Sequence, residues 1–371
     1  MKEWKEIMNI AIVSCFVSND MRVKSVYEFF VKRGYLVIVY ESDFIHMKKS
    51  YRDAPPENYR YVPTRFYKKN LSVARLVSHA EFSRDVVKQL EQYQPELIYA
   101  LVPPNSLVRD LVDYKKKHKA LLLFDVIDLW PESLPVNVPS SVFPLRNWKN
   151  LRNKYINGAD YVITQCDLYQ TIFPVVPEKC RTVYFCREMQ NRTPCGSKKA
   201  GELDLAYLGS INHLIDIDRI GAVVRELARQ YRVTVHVIGN GRTKEQFINT
   251  LKGQGAVVEF YGEVYEPEKL TGILSQCDFG INIYKPETRI GMTMKSMDYF
   301  CNNLPVLNAI PHDTERLVNR YNAGINLKDF SLEAVEHYRN TQSRIEELVE
   351  TELSPKAFER KMEAILAELG L

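Results

Sequence analysis

Arg289, Gly291, Thr293, Lys295 and Asp298 lie within one run of ten residues, inside the stretch KPETRIGMTMKSMDYFCNNLPV at 285–306. Two cations around a glycine and a hydroxyl suit the binding of an anion. The apolar run at 279–284 before them reads as a buried strand. About two helical turns carrying Asp298 follow, and the chain resumes as a strand near Leu304. Strand, glycine-bearing basic loop and helix start is how an α/β domain holds an anion, with free backbone N–H groups and the positive helix end directed at it. An ordinary β–α connection with solvated charges gives the same pattern, so the remaining elements must decide.

A second candidate lies at 124–133, FDVIDLWPES. Asp128 falls just past the carboxyl end of an apolar strand, where parallel α/β sheets bind ligands. It could act as a base or orient a hydroxyl, while Glu132 could cap the turn after Pro131. Asp216-Ile217-Asp218 spells D-x-D, a pattern that can hold a divalent cation. Here it opens a helix, where acids favour the dipole, and no metal is expected.

These residues need two frames to position them. In the first half, strands at 10–17, 35–40, 97–102, 121–126, 160–164 and 182–186 alternate with helices at 23–32, 72–92, 105–117, 147–157 and 168–173. Asn105 is expected to cap its helix, and 48–70 reads as an irregular connection. The β–α alternation predicts a parallel sheet. The loop after the first strand holds no glycine, and Gly239-Asn240-Gly241 is followed by Lys244 where a third glycine belongs, so a dinucleotide-binding dehydrogenase is disfavoured. Residues 187–202 are polar and read as a linker. Strands at 203–208, 233–238, 257–261 and 279–284 then alternate with helices at 216–230, 243–252 and 267–276, a second doubly wound domain. Helices are expected at 331–353 and 355–369. The domains are thus 1–187 and 188–352, with a C-terminal helix at 353–371 packing back across them.

The 371 residues, 45% apolar and 26% charged, suit a globular protein of two domains. No run is long and apolar enough for a membrane span, and the N-terminus lacks the apolar core of a signal peptide, so a cytoplasmic protein is expected. Seven cysteines without C-x-x-C spacing read as buried thiols. Residues 1–187 carry 28 Lys and Arg against 20 acids, and the remainder 22 against 26. The asymmetry suggests that the first half faces something anionic, such as a membrane surface, a phosphate-bearing acceptor or a nucleic acid. Lys115, Lys116, Lys117 and Lys119 read first as a solvated helix end, then as a membrane contact. Nucleic acid is not an expected partner, since no recognised module accompanies the patch.

DLWPES at 128–133, YLGSIN at 207–212, VIGNG at 237–241, FYGEV at 260–264 and KSMDYFCNNLPV at 295–306 together resemble the retaining glycosyltransferases of family 4, over nearly the whole chain. The resemblance implies a GT-B architecture: α/β, with two doubly wound Rossmann-like domains facing across a cleft. It implies a nucleotide-sugar donor as substrate, no cofactor, and a saccharide or lipid-linked acceptor in surface polysaccharide synthesis. By the same resemblance Asp298, where the family usually has glutamate, accepts the ribose hydroxyls. Thr293, Met294, Lys295 and Arg289 meet the diphosphate, with Arg242 in reserve. Gly209 and Ser210 approach the phosphates, Gly262, Glu263 and Val264 hold the base, and Asp128 lines the acceptor side. Three departures stand out: Ile290 occupies the position of a sugar-contacting glutamate, the Arg and Lys that often neutralise the diphosphate are not obvious after Ser210, and Ile127 replaces a His or Arg. A nucleotide-sugar epimerase of the same fold and a non-catalytic binding subunit are the alternatives.

Overall fold

Seven and six parallel strands form the two large sheets of the computed structural model, which describes residues 8–133, 143, 145–190 and 201–371. Cys195 and most of the expected 187–202 linker lie outside the described residues. One unit comprises Met1–Cys186 with Glu359–Leu371, and the other Arg187–Phe358.

In the first unit β1 (Asn9–Ser14), α1 (Asp20–Val31) and β2 (Leu36–Ser42) lead to a small antiparallel pair, β3 (Phe44–Ile45) and β4 (Ser50–Tyr51), and then to β5 (Tyr59–Val62). There follow α2 (Val73–Tyr93), β6 (Leu97–Val102), α3 (Asn105–Lys117), β7 (Leu121–Val126), α4 (Leu145–Asn153), β8 (Tyr161–Thr164), α5 (Asp167–Ile172) and β9 (Cys180–Thr182). The sheet order is β5-β2-β1-β6-β7-β8-β9. Chain order reverses between β1 and β6, which puts a ligand-binding crevice at the carboxyl ends of those strands. β6 is buried at every position, as a strand covered on both faces must be.

Three expectations are corrected here. β5 lies inside the supposed loop at 48–70. It is a half-exposed edge strand held by backbone pairing to β2, so its sequence YRYV carries no apolar run. The last strand ends at Thr182 instead of Cys186. Asn105 does not cap α3: its amide donates to the carbonyls of Trp130 (2.9 Å) and Trp148 (3.1 Å), and Pro104 occupies the cap position.

The second unit contains β10 (Glu202–Leu208), α6 (Ile217–Leu227), β11 (Arg232–Ile238), α7 (Lys244–Gly253), β12 (Val257–Gly262), α8 (Pro267–Leu274) and β13 (Phe279–Asn282). It continues with α9 (Met294–Cys301), β14 (Val306–Asn308), α10 (Asp313–Tyr321), β15 (Gly324–Asn326), α11 (Leu332–Arg339) and α12 (Ile345–Leu348), which runs into a π turn over Val349–Leu353. α13 (Pro355–Glu368) ends the chain, its residues from Glu359 onward counting with the first unit. The sheet order β12-β11-β10-β13-β14-β15 puts the reversal between β10 and β13. α10 and β15 are additions to the expected series. The helix expected at 331–353 breaks after Arg339, where the chain turns so that the Arg344 N–H reaches the Tyr321 carbonyl at 2.9 Å.

Asn282, Asn308 and Asn326 sit in register at the carboxyl ends of β13, β14 and β15. All three are buried, and their amides form a ladder: Asn282 donates to Asn308 at 2.9 Å and Asn308 to Asn326 at 2.8 Å. The ladder is closed at both ends, by the Asn319 side chain and by the Ser296 hydroxyl in the first turn of α9. Connected buried amides of this kind fix one arrangement, because any slip strands a polar group. Asn308→Ala leaves the neighbouring amides unpaired. It is expected to cost roughly 2–3 kcal/mol, read as a lower urea midpoint at unchanged slope; an unchanged midpoint would show that the ladder does not stiffen the sheet.

Candidate functional site

Where β10 and β13 part, Tyr299 of α9 fills the gap. Its ring lies so close to Gly280 that a Cβ there would come within 2.6 Å of ring atoms. Its hydroxyl accepts from the Leu208 N–H (2.8 Å) and donates to the Ala206 carbonyl (3.1 Å). Strand pairing between β10 and β13 covers only Leu205–Ala206 against Phe279–Gly280. The side chain thus satisfies backbone groups that the diverging strands leave open, and seats α9 at the reversal point.

The loops around α9 are equally constrained. Gly209 has φ +106° and Gly239 φ +139°, both in the left-handed region that favours glycine, and a Cβ on Gly239 would meet the Gly209 carbonyl oxygen at 2.0 Å. The Gly209 N–H bonds the Ile238 carbonyl (2.8 Å), and the Gly239 N–H bonds the Gly262 carbonyl (2.7 Å). The carboxyl ends of β10, β11 and β12 are therefore laced by main chain. Gly239, read as half of a failed fingerprint, serves this close approach. Ser210 is exposed, its carbonyl accepting from the Tyr207 hydroxyl at 2.8 Å. Glu263 is exposed and Val264 half-buried beyond Gly262.

Thr293 caps α9: its hydroxyl accepts from the Ser296 N–H at 3.0 Å and lies 2.7 Å from the Ser296 hydroxyl. That side chain is engaged by its own helix, so what the first turn offers a ligand is its leading N–H groups, at Met294 and Lys295. The Met294 side chain is exposed. Lys295 is only 6% exposed, and its ammonium has no hydrogen-bond partner. The Nζ lies 4.1 Å from the ring centre of Tyr207 and 4.9 Å from that of Tyr284. Burial lowers its pKa to about 7. Gly209 is close by, since a Cβ there would lie 3.8 Å from the Lys295 Cε. A buried amine without a counter-ion, beside a glycine turn and a helix start, is the electrostatic outline of an anion site. Arg289 and Arg242 are exposed.

Asp298 accepts a hydrogen bond from Arg187, whose Nε is buried without a partner. Burial raises the Asp298 pKa, and the Arg187 charge opposes the rise. Residues 187–190 lie along α9, with the Gln190 N–H on the Cys301 carbonyl at 2.7 Å. Nothing about Arg187 beyond its placement in a polar linker marked it in the sequence. Asp216 caps α6, accepting from the Arg219 N–H at 3.0 Å, which gives the D-x-D acid a structural role.

In the first unit Asp128 stands beside Arg75, with burial raising its pKa to about 6 and the Arg75 charge opposing the rise. Arg75 is itself buried, with its guanidinium 4.2 Å from the Trp130 ring centre. Its Nε donates to His79 Nε2 at 3.3 Å, and one terminal nitrogen donates to the Asn70 carbonyl at 3.0 Å. His79 stacks on Trp130, and burial holds it neutral; burial and Arg75 together lower His46 to about 4. The R-x-x-x-H spacing of Arg75 and His79 on one face of α2 was the available sequence signal for this cluster. Glu132 is no simple turn cap. It is buried against Arg152 (2.8 Å) and Lys149 (3.1 Å), and Arg152 also donates to the Trp130 carbonyl, so the pair fixes the loop that carries Asp128.

No protein-family model matches the chain, and no curated protein sequence does. Solved structures do. Sucrose-phosphate synthase from Thermosynechococcus elongatus aligns with a TM-score of 0.70 at 12% identity, over 98% of this chain and 99% of that one. Anabaena Alr3699/HepE in complex with UDP aligns with a TM-score of 0.67 at 13% identity, over 98% and 100%. The lipopolysaccharide outer core galactosyltransferase WaaB aligns with a TM-score of 0.63 at 14% identity, over 97% and 99%. The chain has the GT-B fold. Both of its Rossmann-like units contribute to that assignment, because the alignments run nearly end to end.

The buried ammonium has a measurable cost in the free GT-B protein. An amine whose folded pKa is depressed adds stability above its unfolded pKa and loses it as pH falls through the folded value near 7. Lys295→Met removes this dependence. Between about pH 9 and about pH 6 the wild type is expected to lose roughly 2–3 kcal/mol relative to the variant, by denaturant melts; parallel pH curves would mean that the amine is not buried in its charged form.

Proposed function

We propose that this protein is a glycosyltransferase that moves a sugar from a nucleotide-sugar donor to a saccharide or lipid-linked acceptor, with retention at the anomeric carbon. The observation that carries the reading is the unpartnered Lys295 ammonium beside Gly209 and the α9 N-terminus. That arrangement suits a diphosphate, and Alr3699/HepE, which shares the fold, was solved with UDP and with UDP-glucose.

In this reading the bond from the anomeric carbon to the donor phosphate breaks, and its electron pair leaves with the nucleoside diphosphate. Lys295, in its protonated form, and the leading N–H groups of α9 stabilise the charge that develops there. Arg289 adds a solvent-side cation, and Gly209 and Ser210 bring backbone to the phosphates. Asp298, oriented by Arg187, accepts from the ribose, while Gly262, Glu263 and Val264 hold the base. The acceptor oxygen forms the new glycosidic bond, and its proton goes to the departing phosphate or to Asp128. With a pKa near 6, Asp128 is ionised at neutral pH and able to take a proton. A cytoplasmic enzyme of surface polysaccharide synthesis, working at the inner membrane face, fits the basic first unit.

Calorimetry with UDP, GDP and dTDP tests the donor half of the proposal. One of the three is expected to bind, and Lys295→Met to weaken it at least about tenfold, the loss of one charge-assisted contact. Binding by none of them, or equal affinity in the variant, overturns the assignment. Asp128→Asn should leave nucleotide affinity within about twofold while slowing transfer by roughly 10²–10⁴-fold. Full transfer by that variant removes Asp128 from the mechanism. Transfer in the wild type should also fall as pH drops below about 6 and Asp128 takes up its proton.

A further inference from the structure

The whole chain has a net charge of +4, yet residues 47–77 alone hold eight Lys and Arg against two acids. The same 31 residues hold six of the exposed large apolar side chains: Met47, Tyr51, Phe66, Leu71, Val73 and Val77. Met47 is 72% exposed and Val73 70%, values at which a side chain contributes little to any core. Single exposed apolar residues are ordinary, but a cluster interleaved with cations marks a contact surface.

Three segments bring these residues to one place in the first unit. Phe44 at the start of the β3–β4 hairpin packs against Tyr51, Phe66 and Tyr67 with ring centres 5.1–5.6 Å apart. Lys49 in the hairpin donates to the Asn70 side chain, and the Asn70 carbonyl accepts from Arg75 in α2. The Ser78 hydroxyl of α2 bonds the Arg65 carbonyl at 2.8 Å. Hairpin, the irregular segment after β5 and helix start are thus knit together under the exposed side chains. Lys48, Lys68 and Lys69 are exposed and form no ion pair among the described residues, whereas Arg65 is matched by Glu81 and Arg52 by Glu41.

We propose that this face docks the protein on a bilayer carrying anionic headgroups. Three of the four exposed cations without an ion pair among the described residues of this stretch are lysines, long and flexible point charges that suit a diffuse negative surface; the fourth, Arg60, is bonded to the carbonyls of Glu57 and Tyr59. The apolar partners are mainly aliphatic, which gives little flat area for stacking on nucleic-acid bases and suits insertion at the acyl boundary. The first turns of α2 connect this face to the candidate acceptor site: Val73 and Val77 are exposed, while Arg75 and His79 are buried beside Asp128 and Trp130. An acceptor anchored in the bilayer would present its saccharide to the same turns. This last step rests on the glycosyltransferase reading; the docking itself does not.

Flotation of the full-length protein with phosphatidylcholine vesicles, with or without phosphatidylglycerol, tests the proposal. The wild type floats with the anionic vesicles and not with the neutral ones. At about a fivefold effect per lysine, Lys48→Gln/Lys68→Gln/Lys69→Gln weakens partitioning by about a hundredfold. Leu71→Ser/Val73→Ser/Val77→Ser also loses flotation, and Lys117→Gln/Lys119→Gln does not. All these variants keep the thermal midpoint and nucleotide affinity of the wild type. A wild type that stays with neither vesicle overturns the proposal, as does flotation unchanged in the first two variants. Loss with the lysine variant alone overturns it too, pointing to an acidic protein or nucleic acid as the partner. A wild type that floats but binds no nucleotide leaves the docking face standing and sinks the donor site.

Discussion

An ammonium group buried without a counter-ion is among the costliest features a folded protein can keep, and the second unit is arranged around one. Lys295 sits between the rings of Tyr207 and Tyr284, which offer the cation only their π faces. Its pKa near 7 leaves the charge in balance, ready to be completed by a phosphate. The surrounding structure holds the amine in place. Tyr299 locks α9 where the strands part, the asparagine ladder anchors the first turn through Ser296, and Gly239 lets the Gly209 loop approach. Tyr299 and Ser296 thus fix α9, and with it Lys295, against the Gly209 loop.

The first unit uses the same physical device with opposite sign. Asp128 is a carboxylate held partly desolvated, balanced by an arginine that is itself surrounded by neutral acceptors. Two histidines kept uncharged by burial add polarity without competing for the proton. The loop bearing Asp128 is fixed from below by the Glu132–Arg152 pair, a buried ion pair whose remaining donors go to the Trp130 carbonyl and Asn153. Loss of Glu132 would leave the buried Arg152 charge without a carboxylate, so the arrangement specifies one loop conformation.

Much of this frame was legible in the sequence, because parallel strands buried on both faces write themselves as continuous apolar runs. β6 and β7 fall where their runs predict. The glycine-bearing loop before α9 was legible as the break between two such runs, and Lys295, read beside that glycine, falls in the first turn of the helix. What stayed hidden depends on partners far apart in the chain. Arg187 meets Asp298 across more than a hundred residues, and Tyr299 reaches Leu208 across 91. The asparagine ladder was written as FGIN, VLN and GIN at the ends of three strands, yet Asn282 falls inside the strand expected at 279–284 and nothing local joins it to Asn308 and Asn326. β5 escaped because an edge strand needs only backbone pairing and one covered face. Asn105 and Glu132 were read as caps because capping is local chemistry, whereas both are spent on holding Trp130 and its neighbours.

The titration of Lys295 itself reads the central claim most directly. With lysine labelled at Cε, its NMR signal followed against pH is expected to report a pKa near 7 in the free protein. Saturating UDP, or whichever nucleoside diphosphate binds, should raise that value by about two units or more, since a phosphate placed against the amine favours its charged form. A free-protein pKa near the ordinary lysine value of about 10.4, or one that nucleotide leaves unchanged, would contradict the account.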